Sequence, residues 1–461
     1  MSATNAPLRA LLPFLPVVLA FGCGAGASAK PWVVTPAPAP VATVAKPAAV
    51  DPAVQAARVK RMREWEAPAM KTFHVEMPEG ILALDVEGTA APKVECAQQK
   101  SGSPLCSFTV ELGKDAEGDA HSITCSAHWG DLALPFGIMV HESLGKFALE
   151  ETPRVAVSWN GGTEGGLVAT FYAAAGLSSE QTYLVANAKL AVRYTPGHTL
   201  FCGDIMGGGE KTFGRVVQKV FETAKVKGQN DRVVSQIAYR SRRGDAVTGF
   251  TYGHIRKDDD GFVEALTHTS LEADDKNWDL RDFTNWVSRD ADGSVSMHRK
   301  GYFEGVKAVA IVTAKPSEGG RLRVKIDRDG KTDAVELTPL APLGTELWEA
   351  PSLLRVGAGT LPSHRYAFPA IADDGEPTLR YSELSRIKDG VVEERIATHG
   401  AKSKTTETSQ RNELTLDAQG SVSKQVSSDS VIERLYLFGG PPALKAATKP
   451  PAAKVPPSKK K

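Results

Sequence analysis

The residues of this chain best placed to do covalent chemistry are four cysteines, Cys96, Cys106, Cys125 and Cys202. What they do depends on compartment, and the N-terminus speaks to that. Arg9 is the only charge before Lys30, and the apolar run Ala10–Gly22 behind it is short of the roughly 20 apolar residues a permanent span takes. A basic start, a short apolar run and small residues after it form an export signal, residues 1–29. In an oxidising compartment an even set of cysteines points to two disulfides, with three connectivities open. Cys96 and Cys106 bracket a Gln-Gln-Lys-Ser-Gly-Ser-Pro turn, which favours that local pair. Cys125–Cys202 is then the long bridge, worth about 4 kcal/mol in chain entropy. Free buried thiols are the competing reading.

Other constellations fail on their own terms. Cys202-Gly-Asp-Ile-Met-Gly-Gly-Gly-Glu-Lys-Thr212 stands between a strand pattern and a helix, as a phosphate loop does. Glu210 interrupts the Gly-Lys-Thr that such a loop needs and sets a carboxylate where phosphate would sit. Asp327, Asp329, Gly330, Asp333 and Glu336 match part of a calcium loop, but Lys325 takes the place of the first carboxylate and the flanks alternate as strands. Asp258–Gly261 and Asp290–Gly293 are similar turns with fewer ligands. His121, Cys125 and His128 could form part of a zinc site; a disulfide at Cys125 with two separate histidines is the better reading in an exported protein. Ser143-x-x-Lys146, Ser158-x-Asn160 and Lys211-Thr212 follow the order of penicillin-binding motifs, but the third lacks its glycine and the first two stand too close together. Neither a Gly-x-Ser-x-Gly elbow nor His-Glu-x-x-His occurs. We therefore expect no catalytic residues, no metal site and no cofactor.

The elements that position these residues begin with the leader. Leu19-Ala20-Phe21-Gly22-Cys23 resembles the end of a bacterial lipoprotein signal, in which the cysteine is acylated and becomes the mature N-terminus. Leucine stands four residues before the cysteine instead of three, and bulky Phe21 fills a position that favours a small side chain. Cleavage after Ala27-Ser28-Ala29 is the rival ending, giving a free secreted or periplasmic chain. Acylation at Cys23 is the ending we prefer, because the cysteine stands at the edge of the apolar block and a small-residue tether follows it; two acyl signals would then hold the chain on a membrane stably. The resemblance implies a protein of the bacterial cell envelope. Residues 30–52 form a Pro/Ala linker that cannot pack a core and runs extended.

Charge is unevenly placed. The chain holds 55 basic and 54 acidic residues; with one base in the leader and six lysines in residues 441–461 set aside, 48 basic residues face 54 acidic ones in the body, a net −6. That balance excludes nucleic acid as an expected partner. The Lys/Pro/Ala tail at 441–461 is expected to be disordered and could touch anionic envelope polymer or lipid.

Between linker and tail the patterning predicts an α+β fold, mainly antiparallel β. A short helix is expected at 53–66, with Val54, Ala57, Arg61 or Met62, and Trp65 on one side. An α+β domain at 67–228 follows, with short alternating runs closed by one amphipathic helix whose stripe is Phe213, Val216, Val217, Val220, Phe221 and Ala224. The larger antiparallel β-rich domain spans 229–440, with strand patterns recurring from Val233–Tyr239 to Val431–Phe438. No strand is assigned between Ile255 and Val306, and no helix after Gly228.

Within this second domain NELTLDAQGSVSKQVSS and VIERLYLF meet across an Asp-x-x-Gly turn. The run Asp231–Phe438 resembles the half-barrels of periplasmic lipoprotein carriers of the LolA and LppX type. That resemblance implies a concave face able to hold acyl chains, and no motif carries a site residue across. The function expected is a structural or binding role in the envelope. A carrier of lipid or another apolar ligand, and an extracytoplasmic hydrolase with unrecognised catalytic residues, are the alternatives.

Overall fold

The computed structural model describes residues 65–440, apart from 78–81, 99–103, 130–146, 150–153, 161–165, 178–184, 196–197, 205–208, 227–231, 274–277, 305–306, 373–374 and 400–406, and a few helical positions within 53–64. The leader with Cys23, the linker, Ser143, Lys146 and the lysine tail lie outside the described residues.

The chain runs through β1 (Lys71–Glu76), β2 (Leu82–Gly88), β3 (Val94–Gln98), β4 (Pro104–Lys114), β5 (Ala120–Trp129), β6 (Phe147–Leu149), β7 (Arg154–Asn160), β8 (Gly166–Leu177), β9 (Val185–Thr195) and β10 (His198–Asp204). Helix α1 (Glu210–Thr223) and the short β11 (Lys225–Val226) end this half. The second half continues with β12 (Val233–Arg243), β13 (Ala246–Lys257), β14 (Gly261–Ala273), β15 (Trp278–Asp290), β16 (Val295–Glu304), β17 (Lys307–Pro316), β18 (Leu322–Arg328) and β19 (Lys331–Leu337). Helix α2 (Ala350–Gly357) separates these from β20 (Ser363–Ile371), β21 (Pro377–Lys388), β22 (Val391–His399), β23 (Glu407–Leu416), β24 (Val422–Val426) and β25 (Val431–Gly439). The protein is mainly antiparallel β, as its patterning predicts.

In the first half, β1-β2-β11 form a small sheet, and β3-β4-β5-β10-β9-β8 run through a larger one in which β6 and β7 both pair with β8. Helix α1 buries Phe213, Val216, Val217, Val220 and Phe221 against Leu82, Leu84 and Val86 of β2 and Phe108, Val110 and Ile123 of β4 and β5. Gly209 precedes the helix because its Cα lies against the Trp65 carbonyl, where a Cβ would stand 1.5 Å from the oxygen.

The second half is one fourteen-stranded antiparallel sheet, in the order β19 to β12 and then β25 to β20. Two meanders thus meet where β12 pairs with β25, and residues 338–362 connect the two outermost strands. Contacts between the two ends of the sheet show that it rolls. Ala367, Leu379 and Tyr381 of β20 and β21 pack on Val312, Val324 and Leu337 of β17, β18 and β19. The connection itself fills the roll: Leu347 and Trp348 pack on Ile237, Tyr239 and Ile255, while Leu353 and Val356 of α2 pack on Tyr366, Leu384, Val392 and Leu414. Rolling covers edges that an open sheet would leave unpaired. On the outer face, Tyr194 of β9 stacks on Tyr252 of β13 with ring centroids 5.4 Å apart, joining the two halves.

Strands β14, β15 and β16 and helix α2 depart from the sequence expectation. In β15 the inner-face positions 281, 283, 285, 287 and 289 read Arg, Phe, Asn, Val, Arg, and the outer ones include Asp282 and Thr284. Both faces carry polar groups, so the two-residue hydrophobic alternation is lost although the ladder is complete. Helix α2 spans eight residues, with Pro351 second in it, and is too short to show a helical period.

Candidate functional site

The sequence's own candidates resolve first. Cys96 pairs with Cys106 and Cys125 with Cys202. Each pair stands directly opposite across neighbouring strands, β3–β4 and β5–β10. Cys106 faces Ala127 and Phe108 faces Cys125, so both bridges lie on the face that packs under α1. Glu210, Lys211 and Thr212 form the first turn of α1: Lys211 Nζ meets Glu66 at 3.0 Å, and Thr212 Oγ1 accepts from the Ala67 amide at 3.0 Å. These partners tie the turn to the segment before β1.

Asp327, Asp329, Gly330 and Asp333 belong to the β18–β19 hairpin, with Asp329 and Gly330 at φ 48° and 75°. Asp327 accepts from Thr332 at 2.6 Å and pairs with Lys325 at 2.9 Å, whereas Glu336 accepts from Ser317 at 2.5 Å. The carboxylates therefore bond to different neighbours. His121 shares the inner face of β5 with Cys125, stacks on Trp65 at 4.2 Å and meets Asp115 at 3.1 Å. His128, three residues past Cys125, points to the opposite face and meets Ser126. No group of three or more metal-ligating side chains occurs among the described residues. Ser158 and Asn160 lie on β7.

Chemistry that the motifs do not mark gathers on the inner face of the rolled sheet. The register places Glu264, Val287 and His298 side by side across β14, β15 and β16, with Leu266, Asn285 and Lys300 one step along and His268, Phe283 and Tyr302 a step further. On the opposite wall, Leu384 and Glu394 neighbour Asn412, and Phe368 pairs with Arg380. The inner surface thus has two chemically opposite levels, two to four residues apart along the strands, or about 7–13 Å.

The first level holds four glutamates, Glu264 and Glu394 on the wall and Glu346 and Glu349 on the filling segment. Thr345 donates to Glu264 Oε2 at 2.6 Å, Tyr239 donates to Glu346 Oε1 at 3.1 Å, and His364 Nε2 meets Glu349 Oε2 at 2.8 Å. Each of these bonds joins the segment to the wall. Glu394 accepts from Ser382 at 2.6 Å and from Asn412 at 2.8 Å. The Arg289 guanidinium lies 4.1 Å over the Trp348 ring and 3.8 Å from Glu264. Burial, with the Glu394 and Glu264 charges, pushes the Glu346 carboxyl up to about 7. Burial also raises Glu264, and the Arg289 charge opposes that rise.

At the second level the charge is reversed. Lys300 Nζ sits 4.6 Å from the Phe283 ring centroid, 5.1 Å from Tyr302 and 5.6 Å from Phe368, which reaches it from the far end of the sheet. Burial and the nearby Arg380 charge bring Lys300 down to about 8. His268, stacked on Phe283 at 4.7 Å and bonded to Thr251 at 2.6 Å, is brought to about 4 by burial and by Lys300. His298, whose ring nitrogens have no hydrogen-bond partner, falls to about 3 by burial and by the Lys300 and Arg289 charges. Among the described residues no carboxylate pairs with Lys300. Its neighbours are aromatic faces, neutral histidines and another cation.

The two levels do different things. Glu264, Glu346 and Glu349 use their hydrogen bonds to hold the filling segment in place, and Glu394 is bonded within the wall. The Lys300 level has an uncompensated positive charge lined by rings, with Lys300, Tyr302, Phe283 and Phe368 all partly accessible. None of these residues falls in a recognisable motif; they stand on β15, β16, β20 and β21, and only the register brings them together. No family model, no curated protein and no solved structure matches the chain.

Proposed function

We propose that this is an exported protein of the bacterial envelope, acylated at Cys23 and held away from the membrane by the linker at 30–52, whose 229–440 domain binds a ligand. In this reading α1 closes an α+β domain at 67–228, and the lysines after 440 lie against anionic lipid or polymer. The observation that carries the binding role is the division of the inner face. Its acidic groups have hydrogen-bond donors, on the wall or across to the filling segment, while Lys300 and its three rings are left without a counter-charge. Lys300 is half-buried, and a cation withdrawn from water without a counter-charge is costly unless something compensates it.

The two disulfides support export, since such bonds persist in oxidising compartments. Carriage of a ligand with an apolar body is favoured within this reading, because Phe283, Tyr302 and Phe368 offer it a surface on the concave side, where the half-barrel resemblance would place one. The filling segment occupies much of the remaining interior, which argues against a cavity for several acyl chains.

Purification from the producing cell's membranes, followed by mass spectrometry of the N-terminal peptide and of the extracted small molecules, tests both parts. The expected result is a diacylated Cys23 and a co-extracted ligand. A mature chain starting at Lys30 would remove the anchor, and extracts holding only bulk lipid would remove the carrier.

A further inference from the structure

We infer that the Lys300 recess is a site for an amphipathic anion, a carboxylate or phosphate group held by Lys300 with its apolar body lying on Phe283, Tyr302 and Phe368. This rests on the binding role proposed above and names the ligand class for it.

Three observations converge on that class. The first is the cation itself. Lys300 Nζ lies within 4.6–5.6 Å of three ring centroids, and no oxygen anion among the described residues reaches it. Ring faces attract a cation, but they leave its hydrogen-bond donors unused. The second is the company it keeps. Arg380 adds a second positive charge close enough to repel Lys300. A lysine placed only for packing gains nothing from such a neighbour. The third is His298, two residues from Lys300 on β16 and on the same inner face. It is 1 % exposed, and neither ring nitrogen is bonded. A buried polar group without a partner calls for an explanation, and an acidic ligand beside Lys300 would give that ring an acceptor.

The walls define the rest of the molecule. Phe283 and Tyr302 face each other across β15 and β16, and Phe368 closes the side from β20. A chain or flat ring with its acidic end at Lys300 would lie along these rings. A bare inorganic anion would leave this apolar surface wet, and an uncharged lipid would leave the cation uncompensated. The acidic level prevents the reverse orientation, since Glu264, Glu346 and Glu394 would repel an anionic head placed there.

The test uses the full exported chain and four probes: dodecanoate, dodecyl phosphate, dodecanol and inorganic phosphate, titrated calorimetrically at pH 7. The expected result is binding of the first two at least about tenfold tighter than of the others, as a charge-assisted contact implies. Lys300→Met should weaken dodecanoate at least about tenfold while keeping the aliphatic stem, and Lys300→Arg should restore most of it. Thermal melts of both variants show that they are folded. Dodecanol binding as tightly as dodecanoate, or a Lys300→Met chain that binds dodecanoate unchanged, would overturn the anion assignment and leave the binding role standing. Inorganic phosphate matching dodecyl phosphate would overturn the apolar half of the assignment. Failure of all four probes would overturn the binding role with it.

Discussion

The Tyr239 hydroxyl donates to Glu346 Oε1 at 3.1 Å, bonding the first strand of the rolled sheet to the segment that fills it. Glu346 faces Tyr239 from β12, Glu264 from β14 and Glu394 from β22, and burial among these groups brings its carboxyl from 4.5 to about 7. Between those values the folded chain keeps a proton that the unfolded chain has lost. The stabilisation from protonated Glu346 is therefore complete below about pH 4.5 and is lost as pH rises through about 7. Glu346→Gln keeps an oxygen for Tyr239 and removes the titration. Urea unfolding should show the variant close to the parent at pH 4.5 and more stable at pH 8, by at most on the order of 3 kcal/mol. Parallel pH profiles for the two chains would show that Glu346 does not titrate in this window.

Gly420 links a turn that the sequence marks to a contact that it does not. Asp417-Ala-Gln-Gly420 reads as a hairpin turn, and the structure closes it with Gly420 N–H on Asp417 O at 3.0 Å and φ at 82°. A Cβ there would stand 2.3 Å from the Ala350 carbonyl oxygen and 2.6 Å from Leu354 Cβ, both in α2. Gly420→Ala should therefore cost the left-handed strain and also displace the helix, about 2–4 kcal/mol together. Gly330→Ala, at φ 75° with open space around it, should cost only the strain, about 1 kcal/mol. Equal losses in denaturant titrations of the two variants would mean that α2 yields freely.

This difference marks how far the sequence could be read. Local signals were legible: the Asp-x-x-Gly turns, the Phe213–Phe221 stripe and the turn between Cys96 and Cys106 each depend on neighbours a few residues away. The resulting antiparallel β architecture follows from them. The inner face depends on pairings between distant strands, and nothing near Lys300 in the chain announces Phe368 or Arg380. Strands β14, β15 and β16 were also hidden, because a two-sided polar strand has no hydrophobic alternation to detect. Glu264, Glu346 and Glu394 look like ordinary solvated acids until the filling segment buries them. A searchable sign did exist in Lys300-Gly-Tyr302: a lysine and an aromatic residue at a two-residue spacing share a strand face.

The two disulfides should part company under a mild reductant. Cys96 is exposed, whereas Cys106 is 3 % exposed and Cys125 and Cys202 are fully buried. A thiolate must reach a sulfur to exchange with it. Cys96–Cys106 should therefore open first under native conditions, with Cys125–Cys202 resisting until the first half unfolds. Their removal should also differ in effect: the sequence separations of 10 and 77 residues correspond to about 3 and about 4 kcal/mol of chain entropy. Mass spectrometry after timed alkylation reads the order, and early labelling of Cys125 or Cys202 would contradict it.

Lys300 gives the inner face a pH dependence of its own. The titratable groups around it are His268 on β14, His298 and Tyr302 on β16, and Arg380 on β21, with Arg289 beyond. The histidines are held at about 4 and about 3 and Tyr302 at about 12, which leaves Lys300, at about 8, as the group of this recess that changes charge between pH 6 and 10. Its folded value lies below its ordinary 10.5. Between about 8 and 10.5 the unfolded chain therefore binds the extra proton, and the ligand-free protein should gain stability as pH rises through that window. An anion needs the protonated form, so binding must run the other way. Dodecanoate, ionised throughout the range, should bind with constant affinity up to about pH 8 and then weaken about tenfold per pH unit, with Lys300→Arg abolishing the decline. Calorimetric titrations at pH 7, 8 and 9 check it, and affinity that stays level through pH 9 in the parent chain would place the anion away from Lys300.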